Sequence, residues 1–342
     1  MNSNINMKKI YAGLVIFLFI FIFIALKMGD TDISLKNIIS SFLNKNNVDS
    51  SIKNIILNIR LPRILMAVLI GMLLASSGTV VQTVFRNPLA DPYIIGISAS
   101  ATFGAVIAFM LELPDIMYGI SGFITSVAVI LLIFRLSSRK NGTDITSLLI
   151  IGIAISSFLG AFTSFSMYLI GQDSFKIVAW MMGYIGTSSW LRVGILTIPL
   201  IISVAYFYLK RYDLDLLLSG DEEAHSLGLD VGKLKRNILI ISSLIVGFSV
   251  AFTGMIGFVG LIAPHTIRLI TKSSSNVKLI PLATLGGGLF LLICDTIGRT
   301  ILSPVEIPIG IVTAFFGAPF FLYLAIKGIV LPSLISSIIL ST

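Results

Sequence analysis

His225 and His265 are the only histidines in the sequence, so general-base or metal chemistry has to be built around them. Neither has a partner at ligand spacing. There is no His-Glu-x-x-His pair, and no Gly-x-Ser-x-Gly turn that would expose a nucleophilic serine. A phosphate-binding loop needs Gly-x-x-x-x-Gly-Lys followed by a hydroxyl that holds magnesium. The nearest stretch, Gly228-Leu-Asp-Val-Gly232-Lys233-Leu234, has one residue too few between its glycines and Leu234 where the hydroxyl belongs. The chain by itself is therefore expected neither to hydrolyse ATP nor to hold a cofactor. Its single cysteine, Cys294, excludes an internal disulfide and a Cys-x-x-Cys site. The one imaginable catalytic pair in apolar sequence is His265 with Asp295.

The elements that must position these residues are apolar. Of 342 residues, 56% are hydrophobic and 12% charged, whereas a soluble domain carries about 25% charged residues. Mean hydropathy is +1.01. The composition predicts an all-α polytopic membrane protein, with residues 1–342 forming a single transmembrane domain. The net charge of +8 does not point to nucleic acid, because the basic residues lie between apolar runs and not in a stripe or tail. Those runs fall at 10–28, 63–84, 93–111, 116–135, 145–170, 191–209, 237–256, 259–270, 278–298 and 308–326. A spanning helix uses about 20 residues, so the pattern predicts about ten helices, with 259–270 a half-helix packed inside the bundle. A barrel would instead show segments of alternating polarity.

Lys8 and Lys9 precede the first run, and no small-x-small cleavage site follows it, so it reads as a retained span with a cytoplasmic N-terminus. Most of the 24 Lys and Arg then fall on the inner side, and both termini are cytoplasmic. Residues 29–59 form the one long polar external segment. The sequon Asn141-Gly-Thr143 falls inside and reads as chance.

Three polar constellations stand out. Residues 219–236, SGDEEAHSLGLDVGKLKR, concentrate charge in an oily chain. Ser219 and Glu222 fit a capping box, with Asp221, Glu222 and Glu223 in the first turn, where the helix dipole favours acids. Ala224 and Leu227 follow at helical spacing, and Gly228 is a natural stop. The segment is either a solvated loop or a short helix built to be gripped by another protein. Outside, Arg60-Leu-Pro-Arg63 opens the second span, and its arginines share a face at i and i+3. They either snorkel at the interface or offer a docking point for carboxylates, which Arg299 could join. In the fifth span Ser156, Ser157, Thr163, Ser164 and Ser166 either pack helices together or line a path. Asp295 sits four residues before Arg299, which suits a local ion pair better than a proton relay. Arg86-Asn-Pro-Leu-Ala-Asp-Pro92 reads as a turn.

Several stretches together resemble one family: Arg60-Leu-Pro-Arg63, Asn87-Pro-Leu-Ala-Asp-Pro92 with Gly96, Trp180-Met-Met-Gly183, the Gly220-to-Gly228 helix, Gly257-Phe-Val-Gly-Leu-Ile-Ala-Pro-His265 with Arg268, and Glu306-Ile-Pro-Ile-Gly310 with Gly317-Ala-Pro319. They are similar, over about residues 55–327, to the permease subunit of binding-protein-dependent ABC importers for iron–siderophore, haem and cobalamin. The resemblance implies a homodimer or close heterodimer of ten-helix subunits with the path between them. It also implies two separate ATPase subunits, which carry the ATP and magnesium, and an extracytoplasmic binding protein. It assigns ATPase coupling to Gly220, Glu223, Ala224, Leu227 and Gly228, and binding-protein docking to Arg60, Arg63 and Arg299. It places an inner gate at Thr146 and Ser147, with Ser156, Ser157, Thr163 and Ser164 along the path. An iron chelate is the first-choice substrate. The rival class is an ion-coupled secondary transporter, which needs ionisable residues at mid-depth, and the apolar runs are almost free of them.

Overall fold

The computed structural model describes residues 7–326 apart from 30, 32, 44–48, 140, 141 and 144. The sequon residue Asn141, Lys327 and the apolar tail 328–342 lie outside the described residues. Seven helices are long and apolar enough to cross a membrane, and three shorter apolar ones accompany them. In chain order the described helices are α1 (Met7–Lys27), α2 (Leu35–Phe42), α3 (Ser50–Asn54), α4 (Leu61–Val84), α5 (Ile97–Met110), α6 (Ile116–Ser137), α7 (Ile145–Ile170) and α8 (Phe175–Met181). After them come α9 (Trp190–Leu209), α10 (Arg211–Leu217), α11 (Asp221–Ser226), α12 (Val231–Thr253), α13 (Val259–Thr271), α14 (Asn276–Thr300) and α15 (Ile309–Ile326). The ten expected runs all appear as α1, α4, α5, α6, α7, α9, α12, α13, α14 and α15. The strand content is one two-residue antiparallel pairing, Ser138–Arg139 with Gly142–Thr143.

The bundle is organised around α4. Some 83% of its most apolar window is buried within the protein, against 17% for α1 and α9. A helix that is apolar on every side belongs inside a bundle, and α4 is indeed surrounded by α9, α12, α13 and α14. Its closest neighbour is α14. Gly71 of α4 faces the backbone of Gly287 and Gly288, and Gly78 faces the backbone of Gly260 in α13. A methyl group at any of these contacts would overlap main-chain atoms of the facing helix. In lipid, where apolar burial gives helices no reason to associate, such small-residue contacts are a main source of packing attraction.

Three regions differ from the sequence expectation. The segment 29–59, expected as an external polar stretch, is not simply a loop. Ser34 caps α2 through the Asn37 amide (3.3 Å), Asp49 caps α3 through the Ser51 amide (3.0 Å), and a wide π turn at Ile55–Arg60 leads into α4. The run expected from residue 93 begins as a short 3-10 turn, Pro92–Ile95, and α5 starts only after Gly96, whose φ is 89°. Finally α12 begins at Val231, because the Asp230 carboxylate accepts from the Lys233 amide (2.9 Å) and starts the helix before the apolar run does.

The α4 seam gives a direct test. Gly78→Leu forces a branched side chain against the backbone of α13 and is expected to destabilise by several kcal/mol, at or beyond the upper end of the ~1–3 kcal/mol typical of overpacking. Gly194→Leu, on the thinly covered α9 with open space at its Cα, is expected to leave the melting temperature of purified protein nearly unchanged.

Candidate functional site

The polar segment 219–236 folds as the short helix α11 and the start of α12, and a further short helix, α10, precedes it after α9. The acidic start of α11 is present as expected, but its cap is shifted by one residue. Gly220 is the N-cap, with φ 130° and ψ 159°, and Glu223 folds back so that its carboxylate lies against the Gly220 Cα. The expected box of Ser219 with Glu222 is therefore corrected: Ser219 makes no cap bond, and Glu223 is the residue in the third helical position. The far end is a Schellman turn. The Gly228 amide donates to His225 (2.9 Å), and the Leu229 amide donates to Ala224 (3.1 Å). Gly228 sits at φ 87° with nothing near its Cα, so glycine is favoured there by backbone shape alone.

Ala224 is fully buried while Leu227 is 67% exposed, which gives α11 one face sewn to the bundle and one left open. The sewing is ionic. Asp221 accepts from Lys235 of α12 at 2.5 Å and lies 3.8 Å from Arg86 at the end of α4. The Lys235 side chain is 5% exposed, so this pair is better sheltered from solvent screening than a surface pair.

At the opposite end of α4, Arg60, Arg63 and Arg299 come together, but not as an outward-facing platform. Arg60 is 5% exposed and donates to the carbonyls of Leu26 (2.7 Å) and Lys27 (3.0 Å), with Thr31 beyond. Arg299 is 6% exposed and donates to Ala25. Both close the end of α1, whose last carbonyls have no intrahelical donors. Arg63 pairs with Asp295 (3.0 Å) and Glu306 (2.7 Å). The expected Asp295–Arg299 contact is present at 3.6 Å. Arg60 and Arg299 are thus closed in against the end of α1, and Arg63 between Asp295 and Glu306, so a helix end and carboxylates are their partners within the chain.

The α7 hydroxyls divide into two groups. Ser156, Ser157, Thr163 and Ser164 line one open cavity of about 570 Å³ together with Tyr93, Ser98, Thr102, Met167 and Met181. Met181 also borders a second, almost wholly apolar cavity of about 650 Å³, walled by Met182, Met255, Phe258 and residues of α15. Thr146 is exposed and Ser147 half-buried at the other end of α7, and neither lines these cavities. Ser166 is buried. The methionine and aromatic walls were missed from sequence because such residues look like any other apolar run. Met255 was the one available signal, since it lies in the unwound link 254–258 between α12 and α13. Among the described residues no cluster of three or more His, Cys, Asp or Glu could hold a metal ion.

Asp91 caps the Pro92–Ile95 turn through the Tyr93 amide (2.8 Å) beneath the first cavity. Burial pushes its carboxyl up to about 6, and the Tyr93 amide only partly opposes this. A group whose folded value lies above its ordinary one (near 4) stabilises the fold at low pH and loses that contribution as pH rises.

Two outcomes follow from this geometry. Thermal stability in detergent is expected to fall between about pH 4 and pH 6 through Asp91, and Asp91→Asn, which keeps the acceptor for Tyr93, is expected to flatten that part of the profile. Arg63→Met takes the close partner from Asp295, leaving it only the longer Arg299 contact, and is expected to cost roughly 3 kcal/mol, while Arg63→Met with Asp295→Leu recovers part of it. Melting curves of the two variants decide this.

Comparison with known proteins places this architecture. The chain is 35% identical over 334 residues to the hemin transport system permease protein HmuU of Yersinia pestis, covering 96% of this chain and 98% of that protein. It is 39% identical over 269 residues to the cobalamin import system permease protein BtuC of Halobacterium salinarum, covering 78% and 72%. A solved structure of a metal-chelate type ABC transporter in an inward-facing conformation superposes with a TM-score of 0.83 at 32% identity, covering 94% of this chain and 99% of that one. With residues 17–327 matching the model of the FecCD transport family, this helical chain belongs to that family and is a membrane transport permease.

Proposed function

We propose that this chain is the membrane-spanning subunit of an importer that carries a metal chelate into the cytoplasm, in first place an iron chelate such as a ferric siderophore or haem, with a cobalamin-like macrocycle as the alternative. Two copies assemble with the α7 and α15 cavities facing each other. Separate ATPase subunits bind below and hydrolyse ATP, and an extracytoplasmic binding protein delivers substrate from above. Both chain termini lie on the cytoplasmic side.

The observation that carries this reading is α11. A helix with an acidic first turn and a Schellman stop, buried on one side at Ala224 and open on the other at Leu227, is more than a connection between two spans requires. Its ionic attachment through Asp221 to α12 and to the end of α4 lets a push on α11 move membrane helices as rigid bodies. The binding protein's carboxylates meet the outer end of α4, where Glu306 already shows how an acid pairs with Arg63. The paired cavities suit a bulky cargo. Their walls are hydroxyl, thioether and aromatic groups, so they can pass a chelate by without ligating its metal, and selectivity rests with the binding protein. Thr146 and Ser147, at the cytoplasmic start of α7, are the proposed inner gate.

Leu227→Glu places a charge on the open face of α11 without touching the buried one. It is expected to lower ATP-driven uptake at least tenfold in proteoliposomes holding the full transporter, with the melting temperature of the permease unchanged. Wild-type uptake by this variant would return α11 to the status of a solvated loop.

A further inference from the structure

Asp215 lies on α10, six residues before α11 begins, and the transport reading above gives it no role. Its carboxylate does the work of an N-cap for a different helix. Ser275, at the cap position of α14, makes no cap bond of its own. Instead its hydroxyl donates to Asp215 Oδ2 (2.6 Å), while the Asn276 backbone amide and side-chain amide both donate to Asp215 Oδ1 (2.5 and 2.9 Å). Asn276 is fully buried, and its own side-chain oxygen accepts from Thr83 Oγ1 of α4 (3.0 Å). One carboxylate on α10 therefore holds the cytoplasmic ends of both central helices.

The chemistry makes this a stiff joint. Hydrogen bonds to a carboxylate are stronger than neutral ones, and a negative charge at a helix N-terminus is further favoured by the helix dipole. On either side of Asp215, Leu214 and Leu217 are fully buried, so α10 is pinned as a body. Gly220 then joins α10 to α11 through its amide bond to Leu217 (3.3 Å). Beyond the joint, α4 and α14 stay in backbone contact at Gly71 and Gly287 and are tied again by Arg63 and Asp295 at their far ends. The 25 residues of α14 span about 37 Å at 1.5 Å each.

We propose that Asp215 is a coupling residue. It is a positioning residue that transmits displacement of the α10–α11 unit to the α4–α14 pair and so to the outer end of the path. This rests on the reading of α11 as the seat of the ATPase. Asp221 holds α11 separately, to Lys235 of α12 and near Arg86 at the end of α4, so loss of Asp215 removes the polar joint to α14, and through Asn276 to Thr83, while leaving α11 held in place.

The test uses the full transporter, with its cognate ATPase subunits and binding protein, in proteoliposomes, and reads substrate transported per ATP hydrolysed. Asp215→Ala is expected to keep ATP hydrolysis within about twofold of wild type and to lower the transport-to-hydrolysis ratio at least tenfold. Asp215→Asn, which keeps the Oδ1 acceptor, is expected to fall between the two. Thr83→Val cuts only the branch to α4 and is expected to lower the ratio severalfold, which keeps the proposal testable if Asp215→Ala fails to fold. Asp213→Asn, on the same helix but paired with Lys210, is the control expected to match wild type. Full coupling in both Asp215→Asn and Thr83→Val, or in Asp215→Ala, overturns the proposal while leaving the transport reading intact. Failure of wild-type chain to bind any ATPase subunit overturns both.

Discussion

Backbone contact between α4 and α14 is the constraint on which the rest of the molecule depends. Gly71 meets Gly287 with no side chain between them, and in a bilayer such contact supplies attraction that apolar burial does not. Because α4 is enclosed, α9, α12, α13 and α14 are arranged around it. Polar groups then fasten the seam at its two ends, Asp215, Asn276 and Thr83 on the side of α11 and Arg63 with Asp295 on the other. The apolar middle sets the spacing and the charged ends set the register.

The two ends also differ in how much rearrangement they allow. At the outer end Arg63 divides its bonds between Asp295, whose side chain is 1% exposed, and Glu306, at 29%. The first pair is structural, and the second sits at the margin where an acidic partner could compete for the same guanidinium. At the inner end all acceptors of the Asp215 carboxylate serve one helix terminus, so the joint moves as a whole. A rigid seam with a fixed inner joint and an exchangeable outer pair is an arrangement that passes motion along its length.

Much of this was legible in the sequence, and what was not has identifiable causes. The spans could be read because lipid demands long apolar runs, and α13 could be read as a half-helix because its run is too short to cross. The cap of α11 was misplaced by one residue because Gly220 can adopt φ 130°, open to glycine and not to Ser219, and this moves the reciprocal acid from Glu222 to Glu223. Arg60, Arg63 and Arg299 were found, but the partners that bury them were not. Their burial depends on where α1 ends and on an aspartate 232 positions away, neither of which local spacing encodes. Asp215 escaped notice for the same reason, since its partners Ser275 and Asn276 lie far along the chain. Within α7 the hydroxyls were named, but packing alone separates Ser156, Ser157, Thr163 and Ser164, which line a cavity, from buried Ser166.

The central claim is that this chain moves its cargo only when a separate motor pulls on α10 and α11. The most direct measurement compares iron-chelate uptake into liposomes holding this permease with and without its ATPase subunits, under either internal ATP or an imposed proton or sodium gradient. The account predicts uptake only with ATPase subunits, ATP and binding protein together, and none from either gradient. Gradient-driven accumulation by the permease alone would contradict it.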